Sequence, residues 1–285
     1  MKNRSIRPHR GIRNSRADRV FYGVNGVLMA LTFLLYAWPL WFVLIASFSD
    51  PNLVQAGQVL LLPKGFHLGG YKLILEYQDI LRGYLNSILY TVVGTALNLV
   101  MTICAAYPLP RKVLTVLFVF TMYFSGGLIP LYLQVKNLGL YNSPLAMIVP
   151  SAISIYNVLI LRSFFMYGVP KSLEEAALLD GANTAQMLWR VILPLSKPIL
   201  ATVALMTFRA SWNNYLLPNL MLARDQAATT LVVAVVKLQS SGGAGASQYN
   251  LMMAGTMLAM LPMLILFLCM NKMFVEGITQ GAVKG

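Results

Sequence analysis

This sequence predicts an all-α integral membrane protein of six transmembrane helices, and three observations carry that prediction. The chain is 58% hydrophobic and only 11% charged, with a mean hydropathy of +0.66, whereas a soluble domain carries about 25% charged residues. Six apolar runs reach the roughly 20 residues that a helix needs to cross a bilayer. Lysine and arginine gather on one side of those runs.

The runs are Val20–Phe48, Leu85–Leu109, Val113–Val135, Leu145–Tyr167, Val191–Leu216 and Leu251–Phe274. An even number places both ends of the chain on one side. Residues 1–19 hold Lys2, Arg4, Arg7, Arg10, Arg13, Arg16 and Arg19 against the single acid Asp18. Such a tail could bind nucleic acid. A membrane span follows it directly, however, so it reads as a basic cytoplasmic tail and nucleic acid is not expected as a partner. The first run exceeds the 7–15-residue core of a signal peptide and is read as a retained helix.

With the N-terminus inside, the inner segments collect fifteen of the twenty-two Lys and Arg residues. The positive-inside rule therefore favours N-in and C-in. Residues 20–275 form one membrane domain, with a cytoplasmic loop at 171–198, an outer loop at 217–250 and a cytoplasmic tail at 276–285. No internal repeat or inserted soluble domain is visible.

The inner loop between the fourth and fifth spans reads SLEEAALLDGANTAQMLWRVILPLSKP and holds three of the nine acids, Glu174, Glu175 and Asp180. Ser172 stands three residues before Glu175, and Asn183 three before Gln186, the spacing of two capping boxes. Gly181 between them suits a helix end and turn. Two short helices outside the bilayer are expected. Leu173, Ala176, Ala177 and Asp180 fall on one face of the first, where the small alanines permit close approach of another protein.

Elsewhere the polar features leave two readings each. The outer connection Ser49–Tyr84 is turn-rich, with a short interfacial helix expected at Tyr71–Glu76 and with Asn86 and Ser87 as caps of the second span. Gly126, Gly127 and Pro130 make either a packing kink or an outer gate. Asn157, beside Tyr156, is either an interhelical hydrogen bond or a ligand group. Arg209 is seventeen residues past Ile192, about 25 Å along a straight helix, so it is expected near the outer boundary. Trp212 there is an interface anchor or, with Asn213 and Asn214, a sugar contact. Gly242, Gly243, Gln248, Tyr249 and Asn250 fall in a glycine-rich stretch read as a mobile outer loop.

Several chemistries have no footing. Cys104 and Cys269 lie in apolar runs and read as packing residues. His9 and His67 stand apart from any metal-ligand spacing, and no phosphate-binding loop is present. The spans carry no acid for a proton relay. No catalytic, cofactor-binding or metal-binding residue is expected on this chain.

One resemblance sharpens the function. Glu175-Ala176-Ala177, three residues, Gly181, nine residues and then Val191-x-Leu193-Pro194 resembles the EAA motif of permease subunits in bacterial ABC importers, with valine at 191 for the usual isoleucine. FHLGGYKLIL with Asn86-Ser87, the pair Trp212-Asn213, and the ending Glu276–Gly285 resemble the carbohydrate-uptake, maltose-transporter-like permeases, most closely the second permease of the pair. The resemblance implies a subunit of the bacterial cytoplasmic membrane that works with a second permease, an ATPase dimer holding ATP and Mg, and an extracytoplasmic binding protein. Its cargo would be an oligosaccharide released from a polysaccharide.

On that resemblance Leu173, Glu174, Glu175, Ala176, Ala177, Asp180 and Gly181 couple to the ATPase. Tyr156, Asn157, Trp212, Asn213 and Asn214 line the substrate pathway. The 242–250 residues named above touch the binding protein. Glu175 keeps two possible jobs, helix cap or partner of a basic residue on the ATPase. An importer of a non-sugar solute and an ion-coupled carrier are the other classes open at this point.

Overall fold

The apolar runs fold as helices, but two are sharply bent and one is interrupted. The structure, a computed structural model, describes residues 15–107, 112–124, 126–222, 228–241 and 246–282, and among these there is no strand. Residues 1–14 of the basic tail, the loop residues Gly242 and Gly243, and residues 283–285 of the C-terminal tail lie outside the described residues.

Helix α1 spans Arg16–Ser47. It begins inside the expected tail because Ser15 and Asp18 close a capping box, with the Asp18 amide donating to Ser15 Oγ at 3.1 Å and the Ser15 amide to Asp18 Oδ2 at 2.7 Å. Most of its length, from Val20 to Trp41, is exposed apolar surface, which only lipid or another membrane protein would cover. Its last turn packs Ile45 and Ala46 against Val54 and Val59 of the following connection. That connection holds α2 (Pro51–Gln55) and α3 (Gly69–Glu76), the latter close to the expected interfacial helix.

Helix α4, Gln78–Ala106, is the hub, touching α3, α7, α8, α11 and α13 as defined here and below. Its buried face reads Gly83, Ser87, Thr91, Gly94, Asn98 and Thr102. Steps of three and four put these on one stripe, and small or polar residues let neighbouring helices approach closely. Asn86 and Ser87 are not caps of this helix. They hold the start of a helix 140 residues later: Asn86 Nδ2 donates to the Thr229 carbonyl at 3.0 Å and the Leu231 amide donates to Ser87 Oγ at 2.8 Å.

The third run is α5 (Lys112–Tyr123) and α6 (Leu128–Asn137), meeting at 105° across Gly126 and Gly127. Gly127 sits at φ 86°, a conformation that side chains disfavour, so the break is built into the backbone. The fourth run is not the continuous helix expected from Leu145 to Tyr167. It divides into α7 (Leu145–Ile148) and α8 (Ile155–Tyr167), because Pro150 has no amide to donate and Ser154 opens a new helix by accepting the Asn157 amide.

The inner loop gives α9 (Lys171–Leu179) and α10 (Thr184–Leu195), which contains a π-helical turn at Leu188–Ile192. Helix α11, Lys197–Trp212, leaves α10 at 81°. The expected fifth span, drawn straight from Val191, therefore turns at Ser196, between Pro194 and Pro198. The segment expected as a mobile outer loop at 217–250 is largely helical: α12 (Leu216–Met221), α13 (Leu231–Ser241) and the start of α14 (Ala246–Ala282). Leu231, Val233, Ala234 and Val235 are buried. That apolar run is too short to cross a bilayer, and it packs on α4 and α14 instead. Helix α14 continues through Glu276–Ala282, expected as a tail.

Among the described residues three helices are long and apolar enough to cross a membrane, namely α1, α4 and the Tyr249–Asn271 part of α14, and the two bent pairs raise this to five. Helix α8, at 13 residues, is about 20 Å long and does not reach across alone.

A close approach explains one glycine. A β-carbon at Gly70 would come within 2.6 Å of the Asn250 carbonyl oxygen, whereas one at Gly94 would meet nothing within 4 Å. Backbone cannot yield as a side chain can. Gly70→Ala is expected to cost about 1–3 kcal/mol and lower the melting temperature in detergent, with Gly94→Ala matching the parent; equal melting of the two variants would refute the contact.

Candidate functional site

A cleft of about 510 Å³ opens between α4, the broken segment before α8, and α11. Its floor is a knot of amides and hydroxyls. Asn98 Oδ1 accepts from Thr207 Oγ1 at 3.1 Å, from Thr102 Oγ1 at 3.3 Å and from Asn157 Nδ2 at 3.5 Å. Asn157 Nδ2 also donates to Thr207 Oγ1 at 2.9 Å, and Asn98 Nδ2 donates to the Ser151 carbonyl at 2.9 Å. Asn98, Asn157 and Thr207 are all buried. The knot thus joins three segments and supplies the partner for a carbonyl freed by the break at Pro150.

The expected pathway residues separate on this geometry. Tyr156 and Asn157 line the cleft, Tyr156 exposed and Asn157 buried in its floor. Asn157 therefore is an interhelical hydrogen bond and a wall residue at once. Asn214 also lines it, its Oδ1 accepting the Leu217 amide at 3.3 Å. Trp212 does not. It is 2% exposed, donates Nε1–H to the Ala259 carbonyl at 2.8 Å and packs edge-on against Tyr84, so it is neither an interface anchor nor a cleft residue. Asn213 points away and bonds the Arg209 carbonyl of its own helix.

Arg209 was placed at the outer boundary by counting along a straight helix. The 81° bend voids that count, and Arg209 stands in the cleft wall. An arginine within an apolar run is by itself a reason to look for function. That signal was present in the sequence and was hidden by the assumed straightness.

Of the residues assigned to the outer loop, Tyr249 is exposed, while Asn250 is 2% exposed and packed behind Gly70. Asn250 is thus buried in the fold and unavailable as a surface contact. Gln248 belongs to α14, and its side chain lies outside the described residues.

The inner lobe has a different character. Helix α9 has no buried residue. Its end is a left-handed glycine stop: Gly181 is at φ 77°, the Gly181 amide donates to the Leu178 carbonyl and the Ala182 amide to the Ala177 carbonyl, the paired bonds of a Schellman motif. The Asn183–Gln186 capping box forms, with bonds of 2.8 and 2.9 Å. The Ser172–Glu175 box does not. Pro170 occupies the N-cap, where its fixed φ starts the helix two residues early, and no side chain caps it. Glu175 is left exposed.

Leu173, Glu175, Ala176 and Asp180 are exposed, while Ala177 turns inward against the core of Leu161, Phe165, Met187 and Ile192. The expected four-residue face is thus split. Two apolar residues missed by the sequence reading extend the outward surface, Leu179 at 89% and Trp189 at 70% exposure. Glu174 faces a second cleft of about 500 Å³ with Tyr107, Arg162 and Lys171. Burial, and secondarily the Glu174 charge, push the Tyr107 phenol above its ordinary pKa.

A helical membrane chain with a polar cleft between broken helices and an exposed two-helix lobe is a transport subunit in form. Comparison with known proteins agrees: residues 11–280 match the family described as binding-protein-dependent transport system inner membrane component, and this chain belongs to it. It is 34% identical to the polygalacturonan/rhamnogalacturonan transport system permease protein YtcP of Bacillus subtilis, over 96% of this chain and 100% of that one. It is 32% identical to the melibiose/raffinose/stachyose import permease protein MelC of the same species, over 71% of this chain and 75% of that one. Its fold matches a chain in the crystal structure of a bacterial ABC transporter involved in the import of the acidic polysaccharide alginate. The TM-score is 0.82 and the identity 30%, covering 90% of this chain and 98% of that one.

The knot makes a testable demand. Asn157→Leu removes the bonds to Asn98 and Thr207 from the buried knot, and intramembrane hydrogen bonds of this kind are worth about 0.6–1.7 kcal/mol. Thermal unfolding in detergent is expected at a lower temperature for Asn157→Leu, whereas Asn213→Ala unfolds like the parent. The reverse order would remove the knot from any structural role.

Proposed function

We propose that this chain is one of two homologous permease subunits of an ATP-driven importer in the bacterial cytoplasmic membrane. Its cargo is a carbohydrate, an oligosaccharide delivered by an extracytoplasmic binding protein. The observation that carries this reading is the link between lobe and cleft. The exposed α9–Gly181–α10 lobe runs through a single bend into α11, which forms one wall of the polar cleft. The named carbohydrate permeases among its relatives support the class of cargo.

In this reading the six spans are α1, α4, α5 with α6, α7 with α8, α10 with α11, and α14. Both termini and the lobe are cytoplasmic. Leu173, Glu174, Glu175, Ala176, Ala177, Asp180 and Gly181 meet the ATPase, with Leu179 and Trp189 beside them. ATP and Mg belong to that ATPase, since this chain has no phosphate-binding loop. Tyr156, Asn157 and Asn214 line the sugar's path.

Two experiments test it. Because Glu175 is no cap in the folded lobe, its charge is free for a basic residue of the ATPase. In the assembled complex Glu175→Gln is expected to lower substrate-stimulated ATP hydrolysis about tenfold, as loss of a charge-assisted bond does, while Ser172→Ala behaves as the parent. Normal coupling in Glu175→Gln would exclude the charged contact. For topology, an impermeant thiol reagent is expected to label Gln58→Cys in intact cells but Asn183→Cys only after permeabilisation; the opposite pattern would invert the assignment.

A further inference from the structure

Among the described residues Arg209 is the one charged group in the wall of the 510 Å³ cleft, whose polar lining is otherwise asparagine, serine, threonine and tyrosine. Among the described residues no carboxylate lines the cleft, and Arg209 makes no ion pair with any of them. The described acids of the chain stand elsewhere: Asp18 at the start of α1, Asp50 before α2, Glu76 and Asp79 where α3 meets α4, and Glu174, Glu175 and Asp180 in the inner lobe. A guanidinium within a membrane domain is costly to keep and is ordinarily paired.

Two ordinary explanations fall short. Arg209 lies in the last turn of α11, where a cation is favoured by the helix dipole. That effect is modest and needs no placement on a cleft wall. Snorkelling to a lipid headgroup would take the side chain out towards the bilayer surface, whereas Arg209, though exposed, lines the same cleft as Asn98 and Thr207.

We propose that Arg209 is an anion subsite for the cargo, and that the cargo is a carboxylated, uronate-containing oligosaccharide. This rests on the carbohydrate-import reading above and narrows it. The shared chemistry is an anionic substituent on a sugar. A carboxylate fits best because the planar fork of five N–H donors binds it through two parallel hydrogen bonds. Tyr156, Ser211 and Asn214 on the same wall offer a ring face and hydrogen-bonding groups to the neutral remainder of the sugar. The cleft's volume lies within the range of small-molecule sites.

The test uses the complete complex, with partner permease, ATPase and binding protein, in liposomes supplied with ATP. ATP-driven uptake is compared for trigalacturonate, its methyl ester, maltotriose and a sulfated maltotriose. The methyl ester removes the charge at nearly constant size. The quantity read is the ratio of trigalacturonate to ester uptake in the parent, Arg209→Lys and Arg209→Gln, so that selection by the shared binding protein cancels. The ratio is expected to fall about tenfold to a hundredfold in Arg209→Gln, and by less in Arg209→Lys, which keeps the charge and loses the fork.

An unchanged ratio in Arg209→Gln overturns the subsite. So does a parent complex that imports acid and ester equally, a result that needs no variant to fold. Uptake of the sulfated sugar with trigalacturonate left behind overturns the uronate assignment. A parent that imports maltotriose but no acidic sugar overturns the inference and leaves the carbohydrate reading standing, whereas one that imports none of the four overturns both.

Discussion

A backbone that stops being helical inside a membrane domain must find hydrogen-bond partners within the protein, and in this chain the side chains of one helix supply several of them. Along α4, Asn86 bonds the Thr229 carbonyl, Ser87 takes the Leu231 amide, the Tyr90 hydroxyl donates to the Ala228 carbonyl and Asn98 donates to the Ser151 carbonyl. Each acceptor or donor belongs to a break, either the approach to α13 or the segment ahead of α8. The stripe of α4 is therefore polar for a structural reason. Gly83, which brings the Thr230 and Leu231 backbone within about van der Waals reach, is small for the same one.

Once those breaks are held, the cleft follows. The interruption at Pro150 pulls the Ser151–Ser154 backbone away from helical geometry, and the bend at Ser196 swings α11 so that Thr207 and Arg209 face Asn98. Ser196 is fully buried and its hydroxyl donates to the Ile192 carbonyl at 2.7 Å, which satisfies the turn locally between two prolines. The result is an opening walled by three segments, none of which would form it as a straight span.

Much of this was legible in the sequence. Apolar length alone located α1, α4 and α14, and turn chemistry located the glycine break before α6, the stop at Gly181 and the capping box at Asn183. What stayed hidden depended on tertiary geometry. Asn86 and Ser87 read as local caps because their true partners lie more than 140 residues away. Trp212 read as an anchor because aromatic residues at span ends usually are, and only the position of Ala259 shows it to be core. Residues 231–235 fall in the expected outer loop because a span needs about 20 residues, a criterion that cannot see a short buried helix. Ser172 is no cap because Pro170 fixes the helix start two residues earlier.

The two ends of the α10–α11 unit are held very differently, and this difference bears on how transport is driven. At the cleft, Thr207 is fixed by the buried knot. At the lobe, α9 buries nothing, and its inward anchor is Ala177 on the core that also contains Ile192 and Leu193. Elements with few buried contacts open at low cost, so under the proposed function a partner covering Leu173, Ala176 and Leu179 would fix the position of α9. Such a partner would act through α10 and the bend at Ser196 on the wall carrying Thr207 and Arg209. By linkage, cargo bound at that wall would then favour the same arrangement of the lobe to the same degree. The bent α10–α11 unit, knotted at the cleft and carrying the loosely held α9 at the lobe, thus connects the two with no residue shared between them.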